Sequence, residues 1–401
     1  MLLAMSWILL ILYLAAPLMN GVWSVLAWRR ENRRKPLFGL IATMLVCFSI
    51  AIGLSAGMAL ATGAAVLGGL SFAEILIGGY FITGVVLCLR CFDEQVRNGL
   101  TRLVKGRKWY VVLLAALTRV AVMSTLVIPW VMGVGMVFRL KIGAQPWPPG
   151  WVGSSVHFSA ADGTNLQGYY FPADGSSDKT VIVAHGLGAT GLMQVTIARD
   201  LRRDGWNVFA FDFRAHGNSG GHVSTFGLRE HADVLAAVAY LKSHRPQEAT
   251  RITAVGASMG GAALVSAAAA TSDIDALAVV GSYSDLDRLT DEVSFSFFRW
   301  PMSWAAKYIA VPVASLHAGV DIREFRPVES VAKLWPRPLM VIHGSKDEMI
   351  PFNHGLRLYD AAGPGRRRLW IDGTHNSVID DGRTSRGLQE FFDRAQNVPE
   401  I

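Results

Sequence analysis

Three cysteines in 401 residues, Cys47, Cys88 and Cys91, leave everything beyond residue 91 without a thiol. A disulfide framework and a cysteine-based metal site are therefore excluded from the C-terminal part of the chain. Charge is scarce as well. Asp, Glu, Lys and Arg make up 17% of the residues, and with a mean hydropathy of +0.32 the chain is too apolar for an ordinary soluble protein. No segment repeats with a period of about 20–50 residues, which removes solenoids and propellers. No His-x-x-x-His pair or acidic cluster suggests a metal. No basic stripe with interleaved aromatics is present to track a nucleic acid, so none is expected as a partner.

The apolar excess lies at the front. Leu2 to Trp28 holds no Asp, Glu, Lys or Arg in 27 residues, Pro36 to Leu89 only Glu74 in 54, and Trp109 to Phe138 only Arg119 in 30. Each run exceeds the ~20 residues that cross a bilayer. At a rise of about 1.5 Å per residue the middle run would reach roughly 80 Å against a hydrocarbon core near 30 Å, so it should fold back once. Gly63, Gly68 and Gly69 mark the turn. Residues 1–142 are thus expected to form an all-α transmembrane domain of four helices, about 2–28, 37–60, 66–89 and 110–138, with the lipid bilayer as partner.

Arg29, Arg30, Arg33, Arg34 and Lys35 follow the first run and no Lys or Arg precedes it, the charge order of a retained helix rather than a cleaved signal. Arg90, Arg97, Arg102, Lys105, Arg107 and Lys108 lie between the third and fourth helices. The positive-inside rule makes both basic loops cytoplasmic. Four crossings then carry the remaining chain to the non-cytoplasmic side of a bacterial-type inner or plasma membrane, with Arg139 and Lys141 a minority against this order. Residues 1–150 carry 14 Lys/Arg against 4 Asp/Glu, a balance of +10, and residues 151–401 carry 24 against 27, or −3, together the chain's +7. The basic pI of 9.4 therefore reports membrane topology. Glu74 and Arg119 read as an interhelical pair or as side chains reaching the headgroups.

Chemistry is concentrated in the C-terminal part. Gly256-Ala-Ser258-Met-Gly260 stands between a short apolar run, Ile252 to Val255, and an Ala-rich helix, the layout of a nucleophile elbow. A serine hydroxyl must be held on a tight turn within reach of a base, and Gly256 and Gly260 leave room for that turn. Downstream, Pro338-Leu-Met-Val-Ile-His-Gly is an apolar strand that presents Asp347 on the following turn, and Arg368-Leu-Trp-Ile does the same for His375. In this pattern His375 takes the Ser258 proton and Asp347 fixes the imidazole tautomer. Upstream, Thr180-Val-Ile-Val-Ala ends in His185-Gly186, which sets the backbone N–H of Leu187 beside that of Met259 as an oxyanion hole.

The order Ser258, Asp347, His375, together with His185-Gly186, Asp212-Phe-Arg-Ala-His-Gly-Asn-Ser219, Gly344-Ser-Lys-Asp347 and Gly373-Thr-His375, resembles the α/β-hydrolase superfamily in its esterase, lysophospholipase-like and serine-aminopeptidase-like branches. The resemblance covers roughly residues 155 to 395. It implies an α/β fold, a mostly parallel twisted sheet with helices on both faces and a cap insertion, and a serine hydrolase needing no cofactor. The substrate implied is a carboxylic ester or other acyl compound, lipidic or small. An aminopeptidase-type serine peptidase would use the same parts, and an inactive membrane scaffold could keep the fold. A third alternative comes from Gly186-Leu-Gly188-Ala-Thr-Gly191, a formal dinucleotide fingerprint with Asp212 about twenty residues on.

Residues 143–150, rich in Pro, read as a linker to a hydrolase domain at 151–401. A hairpin around Asp162-Gly163 leads into strand–helix units. Strands are expected near 152–159, 165–171, 180–184, 207–211, 252–256, 276–281, 338–343 and 367–371, and helices near 190–204, 226–243, 259–270, 353–361 and 384–396. The cap at about 284–334 carries Phe295, Phe297, Phe298, Trp300, Met302 and Trp304, suited to an acyl pocket, a lipid interface or a small satellite core. His185 and His216 shape loops near the site, Asp285 and Asp287 stand in reserve for Asp347, His343 reads as a core histidine, and Glu230 and Asp233 as solvated or hydrogen-bonded scaffold.

Overall fold

A computed structural model describes residues 128–396 apart from 140, 144 and 298–301. The predicted spans 2–28, 37–60 and 66–89, most of span 110–138, and Glu74 and Arg119 with them lie outside the described residues, as do the side chains of Phe295, Phe297, Phe298, Trp300 and Met302. The chain divides into two units, Met1–Ile128 and Pro129–Ile401. No helix among the described residues is long and apolar enough to cross a membrane.

The described part opens with α1, Ile128–Val137, the end of the run assigned to the fourth span. Trp147, inside the predicted linker, packs edge-on against Phe171 with ring centroids 5.1 Å apart. Strands β1 (Ser154–Ser159) and β2 (Asn165–Phe171) form the expected hairpin, with Gly163 supplying the positive φ of its turn. Then follow β3 (Lys179–Ala184), α2 (Gly191–Gln194), α3 (Arg199–Arg203), β4 (Asn207–Asp212), α4 (Glu230–His244), β5 (Arg251–Ala257), α5 (Met259–Ala270) and β6 (Ala276–Val280). The segment expected to form the cap contributes α6 (Leu286–Phe297), α7 (Met302–Ala305), α8 (Val311–Ala318) and α9 (Pro327–Val331). The chain ends with β7 (Leu339–Gly344), α10 (Asn353–Ala361), β8 (Arg367–Ile371), α11 (His375–Ile379) and α12 (Gly382–Gln396). Each predicted strand forms within two residues of its expected bounds.

One eight-stranded sheet results, in the order β1-β2-β4-β3-β5-β6-β7-β8. The β1–β2 and β2–β4 pairs are antiparallel and all others parallel. Period-two alternation explains how it is buried on both faces. In β3, Ile182 and Ala184 join one core layer with Val234, Leu241 and Leu264, while Val181 and Val183 join the other with Leu201 and Phe392. Phe209 and Phe211 of β4 point to the first layer and Val208 and Ala210 to the second. Burying each phenyl contributes about 1.5–3 kcal/mol, so a slip of one residue, which swaps the two sets, is strongly disfavoured.

Two expected helices differ. The segment at 190–204 is broken by a 3-10 turn at Val195–Ala198. The helix expected from 226 begins at Glu230, because the Glu230 carboxylate takes the Thr225 and Gly227 amides (2.8 and 2.7 Å) and the Thr225 and Ser224 hydroxyls (2.7 and 2.9 Å) and holds the preceding residues in a turn. Glu230 is fully buried, so it is hydrogen-bonded scaffold and not solvated.

Candidate functional site

Ser258 lies between β5 and α5 with φ 54° and ψ −122°, a conformation that costs a non-glycine residue about 1–3 kcal/mol. The surroundings hold it there. Its N–H donates to Val280 O at the end of β6 (2.8 Å), and the Ser282 hydroxyl donates to Ser258 O (3.0 Å). The flanking glycines are required by close approach rather than by their own dihedrals. A Cβ on Gly260 would overlap the carbonyl oxygens of Ala184 and His185, and one on Gly256 would lie 2.7 Å from Gly260 C and Gly261 N. Gly186 borders the serine, since a Cβ there would stand 3.3 Å from Ser258 Cβ. Leu187 and Met259, the expected oxyanion donors, therefore follow directly on two residues packed against each other.

Asp347 follows β7 on a turn that its own carboxylate closes. Oδ1 accepts from the Met349 and Ile350 amides (3.0 and 2.8 Å), leaving Oδ2 to accept from His375 Nδ1 at 2.7 Å. The Asp347 side chain is fully buried and that of His375 8% exposed. Because Nδ1 donates, Nε2 is left as the acceptor nitrogen. The end of β6 is the common neighbour of all three residues. Ser258 bonds Val280, and at the next residue, Gly281, the Cβ position is 3.3 Å from His375 Cε1 and 3.4 Å from Asp347 Oδ2. Among the described residues neither Ser258 Oγ nor His375 Nε2 has a hydrogen-bond partner, so the structure brings serine and imidazole to one strand end without bonding them. Such bonds are often long or misaligned until substrate arrives.

His343 is a core histidine, as its position suggested, yet it reaches the same carboxylate. Its Nε2 donates to Ile350 O (2.9 Å) and lies 3.5 Å from Asp347 Oδ2. Burial holds its pKa below the ordinary value. Sequence reading missed this proximity, although the spacing of four residues from strand end to acid was the available signal. Asp285 instead caps α6, accepting from the Arg288 amide (2.9 Å), and Asp372 pairs with Lys346 at the surface. Asp287 lines an open, charged cleft with Asp321, Arg323 and Glu329.

His185 and His216 lie under the other side of the site. His185 Nε2 accepts from the Phe213 amide (2.9 Å) and Nδ1 donates to Gly186 O (2.8 Å), so both nitrogens are committed. His216 Nδ1 donates to Arg214 O (2.8 Å), and its ring meets His185 edge-on at 5.1 Å. Burial lowers His185 to about 4, and burial with the neighbouring His185 lowers His216 to about 3. Both are neutral braces. Arg214 in turn grips buried Asp233 with Nε and a second nitrogen (3.0 and 2.6 Å) and reaches Asp162 at 2.7 Å.

The dinucleotide fingerprint has a different use. The Gly191 amide, which would face a pyrophosphate, donates to Asp212 Oδ1 (2.8 Å), while Oδ2 accepts from the Asn218 amide (2.9 Å) and the Tyr169 hydroxyl (3.0 Å). A phosphate would meet a carboxylate already in place. Gly191 is small because its Cβ would strike the Phe211 backbone at 2.8 Å.

Residues 179–321 match the family model for the alpha/beta hydrolase fold. The chain is 30% identical over 241 residues to the uncharacterized protein YfhR of Escherichia coli O157:H7, spanning 58% of this chain and 77% of that protein. It is 29% identical over 246 residues to the uncharacterized protein YqkD of Bacillus subtilis, spanning 60% and 79%. The Pyrococcus furiosus esterase Pf2001 superposes with a TM-score of 0.53 at 26% identity, over 63% of this chain and 95% of that one. Sheet order, serine elbow and relatives agree, and the chain belongs to the α/β-hydrolase superfamily.

Proposed function

We propose that the protein is a membrane-anchored serine hydrolase that cleaves a carboxylic ester or related acyl bond of a lipidic or small acylated substrate. The observation that carries this reading is the 2.7 Å bond from His375 Nδ1 to Asp347 Oδ2 at the strand end that also holds Ser258. Ser258 Oγ attacks the substrate carbonyl while His375 Nε2 takes its proton, and the Leu187 and Met259 amides receive the oxyanion. Collapse of the tetrahedral intermediate expels the leaving group, protonated by His375. Water, activated by the same imidazole, then releases the acyl group from Ser258. No cofactor enters either step. The likeness to an esterase of known structure supports ester chemistry.

Anchoring is supported by the apolar runs before residue 139, and the eleven basic residues in the two predicted cytoplasmic loops favour a hydrolase unit on the non-cytoplasmic side. The test is to treat membranes holding the chain with a tagged fluorophosphonate. Labelling is expected for the native chain and absent for Ser258→Ala. Labelling that survives the substitution moves the nucleophile elsewhere, and labelling of neither chain favours a scaffold.

A further inference from the structure

Between residues 302 and 318 the cap is one continuous helical rod, α7 and α8 joined by a π-turn at Ala306–Ala310. Its inner face is made of small residues, with Ala305, Ala310, Val311, Ala314 and Ala318 buried. Its outer face carries Trp304, Tyr308, Pro312 and Leu316, one every four residues. Trp304, Tyr308 and Leu316 are 49%, 55% and 69% exposed, and Pro312 is exposed with them. A step of four turns by about 40° around an α-helix axis, so such a row would spiral away. The wider π-turn between Trp304 and Leu316 offsets part of that drift. The Trp304 and Tyr308 rings lie 5.4 Å apart and form one apolar surface, while Lys307 beside them is paired with Asp291 at 2.6 Å. Single exposed apolar side chains need no partner, but a row held in register marks a surface that is covered by something.

The route of the chain indicates what covers it. A stretch of 127 residues precedes Ile128, and its last apolar run, Trp109 to Phe138, continues into α1. α1 lies against this same rod. A Cβ on Gly133 would overlap Ala310 O and come within 2.8 Å of Val313 Cβ, and Trp130 and Phe138 stand edge-on to His317 at 5.8 and 5.9 Å. Resting on the anchored reading above, the run that leaves the bilayer therefore ends beside the exposed row. Tryptophan and tyrosine are the side chains that favour the headgroup region. We propose that the face formed by Trp304, Tyr308, Pro312 and Leu316 lies in the headgroup–acyl boundary of the bilayer that anchors the chain, so that the cap rests on lipid.

The test uses the full chain with Cys47, Cys88 and Cys91 replaced by alanine, reconstituted in phosphatidylcholine–phosphatidylglycerol vesicles. A spin label is placed in turn by Trp304→Cys, Tyr308→Cys, Leu316→Cys and, as an exposed reference on α12, Glu390→Cys. Variants are compared only where the melting temperature is retained. Collision with oxygen relative to a water-soluble nickel chelate is expected to be roughly tenfold higher at the three cap sites than at residue 390. Equal accessibility to the chelate at all four sites, in a chain that stays in carbonate-washed vesicles, overturns the docked face while anchoring stands. Cap labels shielded from both reagents mean that protein covers the row, and also overturn it. Release of the chain by carbonate overturns anchoring, and this proposal falls with it.

Discussion

His375 and His185 both stand where a strand of the same sheet ends, and both donate from Nδ1, yet they occupy opposite chemical situations. His375 gives its proton to a carboxylate and keeps Nε2 unclaimed at the edge of the core. His185 gives its proton to a carbonyl and spends Nε2 on the Phe213 amide inside a fully buried pocket. The pair shows that residue type and strand-end position do not by themselves suit an imidazole to the base role proposed for His375. What does is one committed nitrogen that fixes the tautomer and one that can still accept a proton. Within the other loop cluster the contrast is one of access: His343 donates from Nε2 to Ile350 O and its unpaired Nδ1 is sealed in the core, whereas the His375 side chain is 8% exposed.

The comparison breaks most visibly at the proposed triad. Ser258→Ala or His375→Ala should lower kcat for a chromogenic ester by roughly six decades while leaving the melting temperature within a few degrees. An effect smaller than tenfold would place the chemistry elsewhere. Asp347→Asn keeps the shape of the turn but allows the wrong imidazole tautomer, and kcat is expected to fall by about four decades with KM nearly unchanged. A KM effect of that size with intact kcat would mean that Asp347 holds substrate instead of His375.

The proposed roles could be assigned from sequence because their residues follow strands, and strands announce themselves by short apolar runs bounded by glycine. Ile252 to Val255 before Ser258 and Leu339 to His343 before Asp347 are such runs, and both formed strands at the expected places. Commitments made across space were not legible. Nothing local to His185 reveals that Phe213, 28 residues away, claims its Nε2. Nothing in Glu230-His-Ala-Asp233 reveals that both acids fold back on preceding loops, Glu230 on Thr225 and Gly227, Asp233 on Arg214. The fingerprint at Gly186 to Gly191 misleads for the same reason, since its amide is satisfied by Asp212 from the next strand.

Changes on the His185 side should act on folding rather than turnover. His185→Leu leaves the Phe213 amide and one lone pair of Gly186 O buried without their partner, and stability is expected to fall by about 3 kcal/mol. His185→Gln, which offers one acceptor and one donor, should recover most of that. Activity per folded molecule should stay within an order of magnitude, and a loss comparable to that of His375→Ala would end the distinction between brace and base.

The smallest expected effect is the sharpest test of that distinction. Burial lowers His185 to about 4, whereas the unfolded chain takes up its proton near 6.5. Between these values the unfolded state binds one more proton than the folded one. The stability contributed by neutral His185 is thus fully present above pH 6.5 and is lost as the pH falls toward 4. Other groups titrate in the same range, and buried Asp233, raised to about 6, acts in the opposite sense because its folded form keeps its proton longer. Comparing the native chain with His185→Gln by thermal unfolding cancels these shared terms. The native chain's advantage should shrink by at most about 1.4 kcal/mol per pH unit between pH 6 and 4.5. A gap that does not change with pH would mean that His185 exchanges protons equally in both states.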